Sequence, residues 1–306
     1  MSAPGILLTG ATGFIGGHLI RRLRERGAQV WAVVRDVAAA QEKLGMDVRV
    51  VAAPSDIPPD ARIDAIVNLA GAPVIGPPWT RARRQLLIDS RVKTTEALLD
   101  WCRARGRRPA VIVSASAIGF YGPGTDAWLD ESSPPQQDRF QSQLCMRREA
   151  AADAAAALGM RVVNLRIGLV LGADGGILAP LALAARCGFA TRIGDGRQWM
   201  SWIHVDDMMR VIELALDDAS LSGPVNAVSP NPERQRDFQR ALTLALRRPL
   251  WLWVPGVLLR VALGEMAELL VKGQRVAPRR LLEKRFAFRY ALLEDALADL
   301  LTRERS

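Results

Sequence analysis

Three glycines at fixed spacing, Gly10, Gly13 and Gly16 in "LLTGATGFIGGHLI", follow an apolar run and open an amphipathic one. Each has a task there: the tight turn, close backbone approach to a pyrophosphate, and close helix–sheet packing. The unpaired N–H groups of the helix N-terminus then face the anion. The pattern predicts a dinucleotide site on Gly10, Thr12, Gly13, Phe14, Ile15 and Gly16. Further on, "VWAVVRD" ends a second strand in Arg35, where an acid selects ribose hydroxyls and a cation selects a 2′-phosphate. Arginine grips phosphate through two N–H groups, so the expected cofactor is NADP(H), with the adjacent Asp36 as the competing signal. The small residues of "VNLAG", ending in Leu69, Ala70 and Gly71, let another strand finish close to the same molecule.

Proton-transfer groups are scarce. The chain has two tyrosines, Tyr121 and Tyr290, and two histidines, His18 and His204. Tyr121, in "GFYG", falls after the fifth strand at the mouth of the expected cleft, where it either touches substrate or packs. Asp130 and Glu131, in "LDESSPP", lie on a loop before a helix near the same cleft. His18 reads as a packing or surface residue, and Asp206 and Asp207 as helix caps. Cys145 has no histidine nearby in sequence, which favours a packed thiol over a nucleophile.

The elements that must position these groups alternate. Apolar runs at 6–8, 30–34, 48–51, 65–69, 110–114 and 162–165 are separated by helical patterns that include 14–26, 81–105 and 140–158. This predicts an α/β fold with a Rossmann-type doubly wound parallel sheet. After Gly168 the pattern becomes mainly helical. We therefore expect a nucleotide domain of 1–170 and 198–228, and a smaller, mainly helical C-terminal lobe of 171–197 and 229–306. The 306 residues, 49% apolar, suffice for a sizeable core, in one large domain or two modest ones.

The net charge of +9 comes almost wholly from arginine, since only Lys43, Lys93, Lys272 and Lys284 are lysines. The arginine runs are mixed with acids at helix ends, which reads as solvated surface and gives no nucleic-acid partner. Cys102, Cys145 and Cys187 have neither metal nor disulfide spacing, as suits a cytoplasmic protein. The stretch "LWLWVPGVLLRVALGEMAELL" from Leu250 is interrupted by Pro255, Arg260 and Glu265; it reads as a buried or interfacial helix, not a membrane span.

In order, "TGATGFIG", "VNLAG", "VSASAIGFYG", "LRIGLVLG" and "GDGRQWMSWIHVDD" resemble the extended short-chain dehydrogenase/reductases. More narrowly, "GPVNAVSPNP", "RRPLWLWVP" and "QRVAPRRLLEKRFAF" resemble an epimerase-like branch (NAD-dependent epimerase/dehydratase) that ends in a C-terminal domain of unknown function. The resemblance implies cofactor contacts at Ser114, Gly168 and Val170, a substrate-holding serine at Ser116, and a structural, hydrogen-bonded His204. It also implies a tyrosine and, four residues later, a lysine, but Gln141 and Cys145 stand at those positions. Glutamine does not titrate and a neutral thiol carries no positive charge. Met200 and Ser201 replace the arginine clamp that grips a substrate diphosphate, and Arg91 replaces an asparagine. The resemblance thus implies an NADP-dependent oxidoreductase or epimerase-like enzyme with a rebuilt acid/base set, acting on a small molecule other than a nucleoside-diphosphate sugar. Arg91, Arg166 and Arg197 are candidates to meet some other anion. The alternative is an NADP(H)-sensing protein that acts through a partner, with "PLWLWVPGVLL" as a contact or as core. Helices 81–105 and 140–158 are where such reductases dimerise, which implies a homodimer.

Overall fold

Parallel pairing builds the molecule outward from the strand that precedes the glycine loop. A computed structural model describes residues 4–124, 126–248 and 252–303. Among the described residues the main sheet has seven strands, β1 (Gly5–Thr9), β2 (Gln29–Val33), β3 (Arg49–Val51), β4 (Ala65–Asn68), β5 (Val111–Ala117), β6 (Arg161–Ile167) and β7 (Gly223–Ala227). Their spatial order is β3-β2-β1-β4-β5-β6-β7, with every neighbouring pair parallel. The order reverses between β1 and β4, so the crevice at the carboxyl ends of those strands is where a ligand belongs.

Side chains alternate between faces along each strand. Leu7, Ile66 and Ile112 enter one cluster with Leu98, Leu99 and Cys102 of α3 (Arg81–Arg103) and Ala152 of α4 (Phe140–Asp153). Ile6, Leu8, Val67 and Val113 enter the cluster on the other face. It includes Leu19 and Leu23 of α1 (Phe14–Glu25) and Val211 and Ile212 of α6 (Val205–Asp217). The runs are apolar throughout because both faces are covered. Between them, α2 (Val37–Leu44) follows β2 and α5 (Leu178–Arg186) follows the sixth strand.

The second cluster does not stop at the sheet. It continues through α7 (Gln235–Ala245) into helix Leu293–Arg303, taking in Phe238, Leu242, Ala296 and Leu297. Nucleotide-binding and C-terminal elements therefore share apolar packing. Short strand pairs outside the main sheet join distant segments, Trp128–Leu129 to Arg275–Val276 and Thr191–Ile193 to Leu252–Val254.

The tryptophan-bearing segment departs from the sequence expectation. Residues 249–251 lie outside the described residues, and the rest is a strand at Leu252–Val254, a helix at Gly256–Leu263 and short helical turns at Gly264–Ala267 and Glu268–Val271. Trp253, Val257, Leu258 and Val261 are 58–82% exposed, as an interfacial element would be, whereas Met266 and Ala267 near the end of the stretch are buried. No helix among the described residues is long and apolar enough to cross a membrane.

Candidate active site

The glycine loop is built as its sequence requires. Gly10 has φ +72°, and a Cβ there would stand 2.8 Å from the backbone carbon of Leu69. A Cβ at Gly16 would come within 2.2 Å of the Gly10 carbonyl oxygen. Gly13 is the N-cap of α1 and offers no side-chain cap, which leaves the helix's first N–H groups for a ligand. Thr12 and Gly13 are exposed, while Phe14 and Ile15 are half-buried. The Phe14 ring packs against Gly172, Gly175 and Gly176, and His18 bonds Asp174 across 2.9 Å, so the 172–176 loop is tied to α1 beside the site. Gly16→Ala is expected to abolish dinucleotide binding, measured by titration with NADPH. An affinity within threefold of the native chain would contradict this cradle.

At the end of β2 the two competing charges separate. Asp36 is the N-cap of α2, and its carboxylate accepts the Ala39 N–H at 3.0 Å. Arg35 is exposed at the strand end. Lys43, which the sequence reading did not single out, ends α2 and donates to the Thr12 carbonyl at 2.8 Å, adding a second cation beside the loop. Its only signal in sequence was rarity.

Beyond β4, Leu69 is half-buried, Gly71 is exposed, and the Ala70 N–H donates to Thr9 Oγ1 at 3.1 Å. Gly168 and Val170 lie at the carboxyl end of β6. A Cβ on Gly168 would meet the Ser201 carbonyl at 2.4 Å, and Val170 pairs with Ile203. Ser114 is fully buried on β5, and its Oγ has no partner. Alternation puts Ser114 on the same face as Ser116. The glycine cradle and the spare hydroxyl together fit a dinucleotide.

Ser116 and Tyr121 belong to one buried network. Ser116 Oγ donates to Glu149 Oε1 at 2.6 Å, and Arg166 grips the same carboxylate with Nε and Nη2 at 3.0 and 2.9 Å. Burial alone lowers the pKa of Arg166, but the hydrogen bonds and charge of Glu149 outweigh it and raise the value. Arg166 also lies over the Phe120 ring, 3.4 Å from its centroid, and donates to Tyr121 Oη at 3.1 Å. Tyr121 Oη donates to Asn226 Oδ1 at 2.7 Å.

Several expectations are thereby corrected. Tyr121 is not at the mouth of the cleft: it is 1% exposed, and burial pushes its pKa up to about 12. Arg166 is not a free anion receptor, because Glu149 neutralises it. Glu131 does not face the cleft openly. It is buried, its Oε1 accepts the Asn226 N–H at 2.9 Å, and burial raises its pKa. Asp130 instead binds Ser132, and Arg279 pairs with it at 3.2 Å. Arg197 is exposed on a separate cavity of about 250 Å³ that Trp199, Arg234 and Lys272 also line. The cap of α6 is His204, whose Nδ1 accepts the Asp206 N–H at 3.0 Å, not Asp206 or Asp207. His204 is fully buried and hydrogen-bonded to Asp299, in agreement with a structural role.

Gln141 and Cys145 do occupy the cleft wall of α4. Both are buried against Gly119, and Gln141 Oε1 has no partner. Burial, and then the Glu149 charge, push the Cys145 thiol up to about 11, so it is neutral and not a nucleophile poised for attack. One turn later stands Arg148, a residue the sequence reading passed over. It is 6% exposed, and Nη2 donates to the Asn68 carbonyl at 2.7 Å. Burial and the nearby Arg91 push its pKa down to about 9.

Known proteins share this architecture and sequence. Residues 6–227 match the model of the NAD dependent epimerase/dehydratase family, and residues 254–300 match a domain of unknown function, DUF1731. Epimerase family protein YfhF of Bacillus subtilis is 35% identical, with 97% of each chain covered. A chloroplastic SDR39U1 homolog from Arabidopsis thaliana is 36% identical, covering 95% of this chain and 85% of that one. A crystal structure of human epimerase family protein SDR39U1 with NADPH superposes with a TM-score of 0.86 at 29% identity, covering 97% and 99%. The chain belongs to the NAD-dependent epimerase/dehydratase family.

Proposed function

We propose that this chain binds NADP(H) and works as an oxidoreductase or epimerase-like enzyme on a small molecule that is not a nucleoside-diphosphate sugar. One observation carries the cofactor choice: Asp36 is committed to capping α2, which leaves Arg35 as the free charge where a 2′-phosphate would lie. The similar human protein was crystallised with NADPH, which supports the same choice. When bound, the cofactor supplies or accepts hydride at its nicotinamide C4.

The chain's own residues divide the remaining work. Gly10 to Gly16 present backbone N–H groups to the pyrophosphate, and Leu69, Ala70 and Gly71 border the adenosine side. Ser114, Gly168 and Val170 border the nicotinamide side. Ser116 keeps its proton on Glu149, so it offers substrate a lone pair and holds a hydroxyl by accepting from it. Tyr121 acts as a positioning residue that fixes Arg166.

A second reading, NADP(H) sensing through a partner, is favoured by one feature, the exposed apolar side chains of Trp253, Val257, Leu258 and Val261. A screen of secondary alcohols for NADP+ reduction separates the two. Turnover that falls about 10–100-fold in Ser116→Ala, the worth of one hydrogen bond to a charged or reacting group, supports the enzyme. Tight NADPH binding without turnover across the panel supports the sensor.

A further inference from the structure

Three guanidinium groups meet beneath the 70–76 loop with no carboxylate to receive them. Arg83, Leu87 and Arg91 stand at i, i+4 and i+8 of α3 and share one helix face. Arg91 donates to the carbonyls of Leu87 and Ala72, both at 2.9 Å, and packs against Gly71, where a Cβ would lie 2.9 Å from its Cζ. Arg83 donates to the Pro73 carbonyl at 2.6 Å. Arg148 reaches the same region from α4. The Nε atoms of Arg83 and Arg148 are buried without a partner. None of the three makes an ion pair among the described residues, whereas Arg166, buried like Arg148, has Glu149.

Burying a cation without a counter-charge is costly, and like charges nearby add to that cost. A bound anion would remove it. The cluster also sits beside the candidate chemistry, since Cys145, at Ser116, feels the fields of both Arg91 and Arg148. We infer that Arg91 and Arg148, with Arg83 at the outer rim, seat an anionic group of the substrate, a carboxylate or phosphate on a small carbonyl or hydroxyl compound. This rests on reading the cleft as an enzyme site. Planar guanidinium groups suit both anions through paired N–H donors. They also return to α4, one turn later, the positive charge that Cys145 does not carry.

The test is a calorimetric titration of the NADPH-loaded protein with oxalate and, separately, inorganic phosphate. At least one should bind, the stronger response naming the anion. Arg148→Met and Arg91→Met should each weaken it about 10–100-fold, with NADPH affinity within threefold of native. Met keeps the length of the arginine stem, and Arg91→Met serves if Arg148→Met does not fold. Absence of binding by either anion, or binding indifferent to both variants, overturns the inference. So does a parallel loss of NADPH affinity, because the guanidiniums would then serve the dinucleotide's own phosphates. If the native chain does not bind NADPH, the proposed function fails, and the same titrations on the cofactor-free protein still decide the anion site.

Discussion

Glu149→Gln is expected to lower the stability of the fold by about 3–5 kcal/mol, the typical cost of stranding a buried charge. Arg166 is 4% exposed, and Glu149 takes two of its hydrogen bonds while also accepting one from the Ser116 hydroxyl. Glutamine has similar size but no charge, so the guanidinium would lie against Phe120 and Tyr121 uncompensated. Removing both charges behaves differently. Glu149→Leu combined with Arg166→Met replaces the pair by apolar groups of similar volume and should recover most of the loss. Equilibrium urea unfolding of the native chain, the single and the double variant measures this directly. A single variant within about 1 kcal/mol of native, or a double variant no better than the single, would show that the network does not hold the site together.

Arg35→Ala should weaken NADPH binding about 10–100-fold while leaving NADH binding unchanged, as expected for losing a charged hydrogen bond of about 1.5–3 kcal/mol. The residue is exposed, so the preference should shrink as salt rises. The adjacent acid provides the control. Asp36→Ala removes the cap of α2, at a cost of about 1 kcal/mol in stability, and should leave the NADPH preference intact. The reverse pattern, with Asp36→Ala weakening NADH and Arg35→Ala changing nothing, would assign the ribose to the acid and the cofactor to NAD.

The strands and the glycine loop were legible because their causes are local. Doubly covered strands must be apolar throughout, and β1, β2 and β4 appear as such runs, within a residue or two of their observed ends. The turn at Gly10 and the contact between Gly16 and the Gly10 carbonyl are set within seven residues, so spacing alone reports them. The substitution of Gln141 and Cys145 on α4 is likewise read directly from the sequence. The seventh strand, Gly223–Ala227, was less visible, since its Gly-Pro start interrupts an apolar pattern.

What only the tertiary structure decided is which charge meets which. In sequence, Arg35 and Asp36 are equal neighbours; in the structure Asp36 accepts the Ala39 N–H as the cap of α2, while Arg35 is exposed beside it. Arg91 and Arg166 looked alike as cations near a cleft, yet Arg166 finds Glu149 across 17 positions while Arg91 finds two carbonyls and the Ser90 hydroxyl, all uncharged. Tyr121 was placed by its loop at a cleft mouth, and packing against Phe120, Arg166 and Asn226 buried it. Arg148 had no signal at all until α3 and α4 came together. Backbone periodicity is written in adjacent residues and so determined the fold and the dinucleotide loop. Charge pairing depends on distances between segments far apart in the chain, and those exist only once the helices are packed against the sheet.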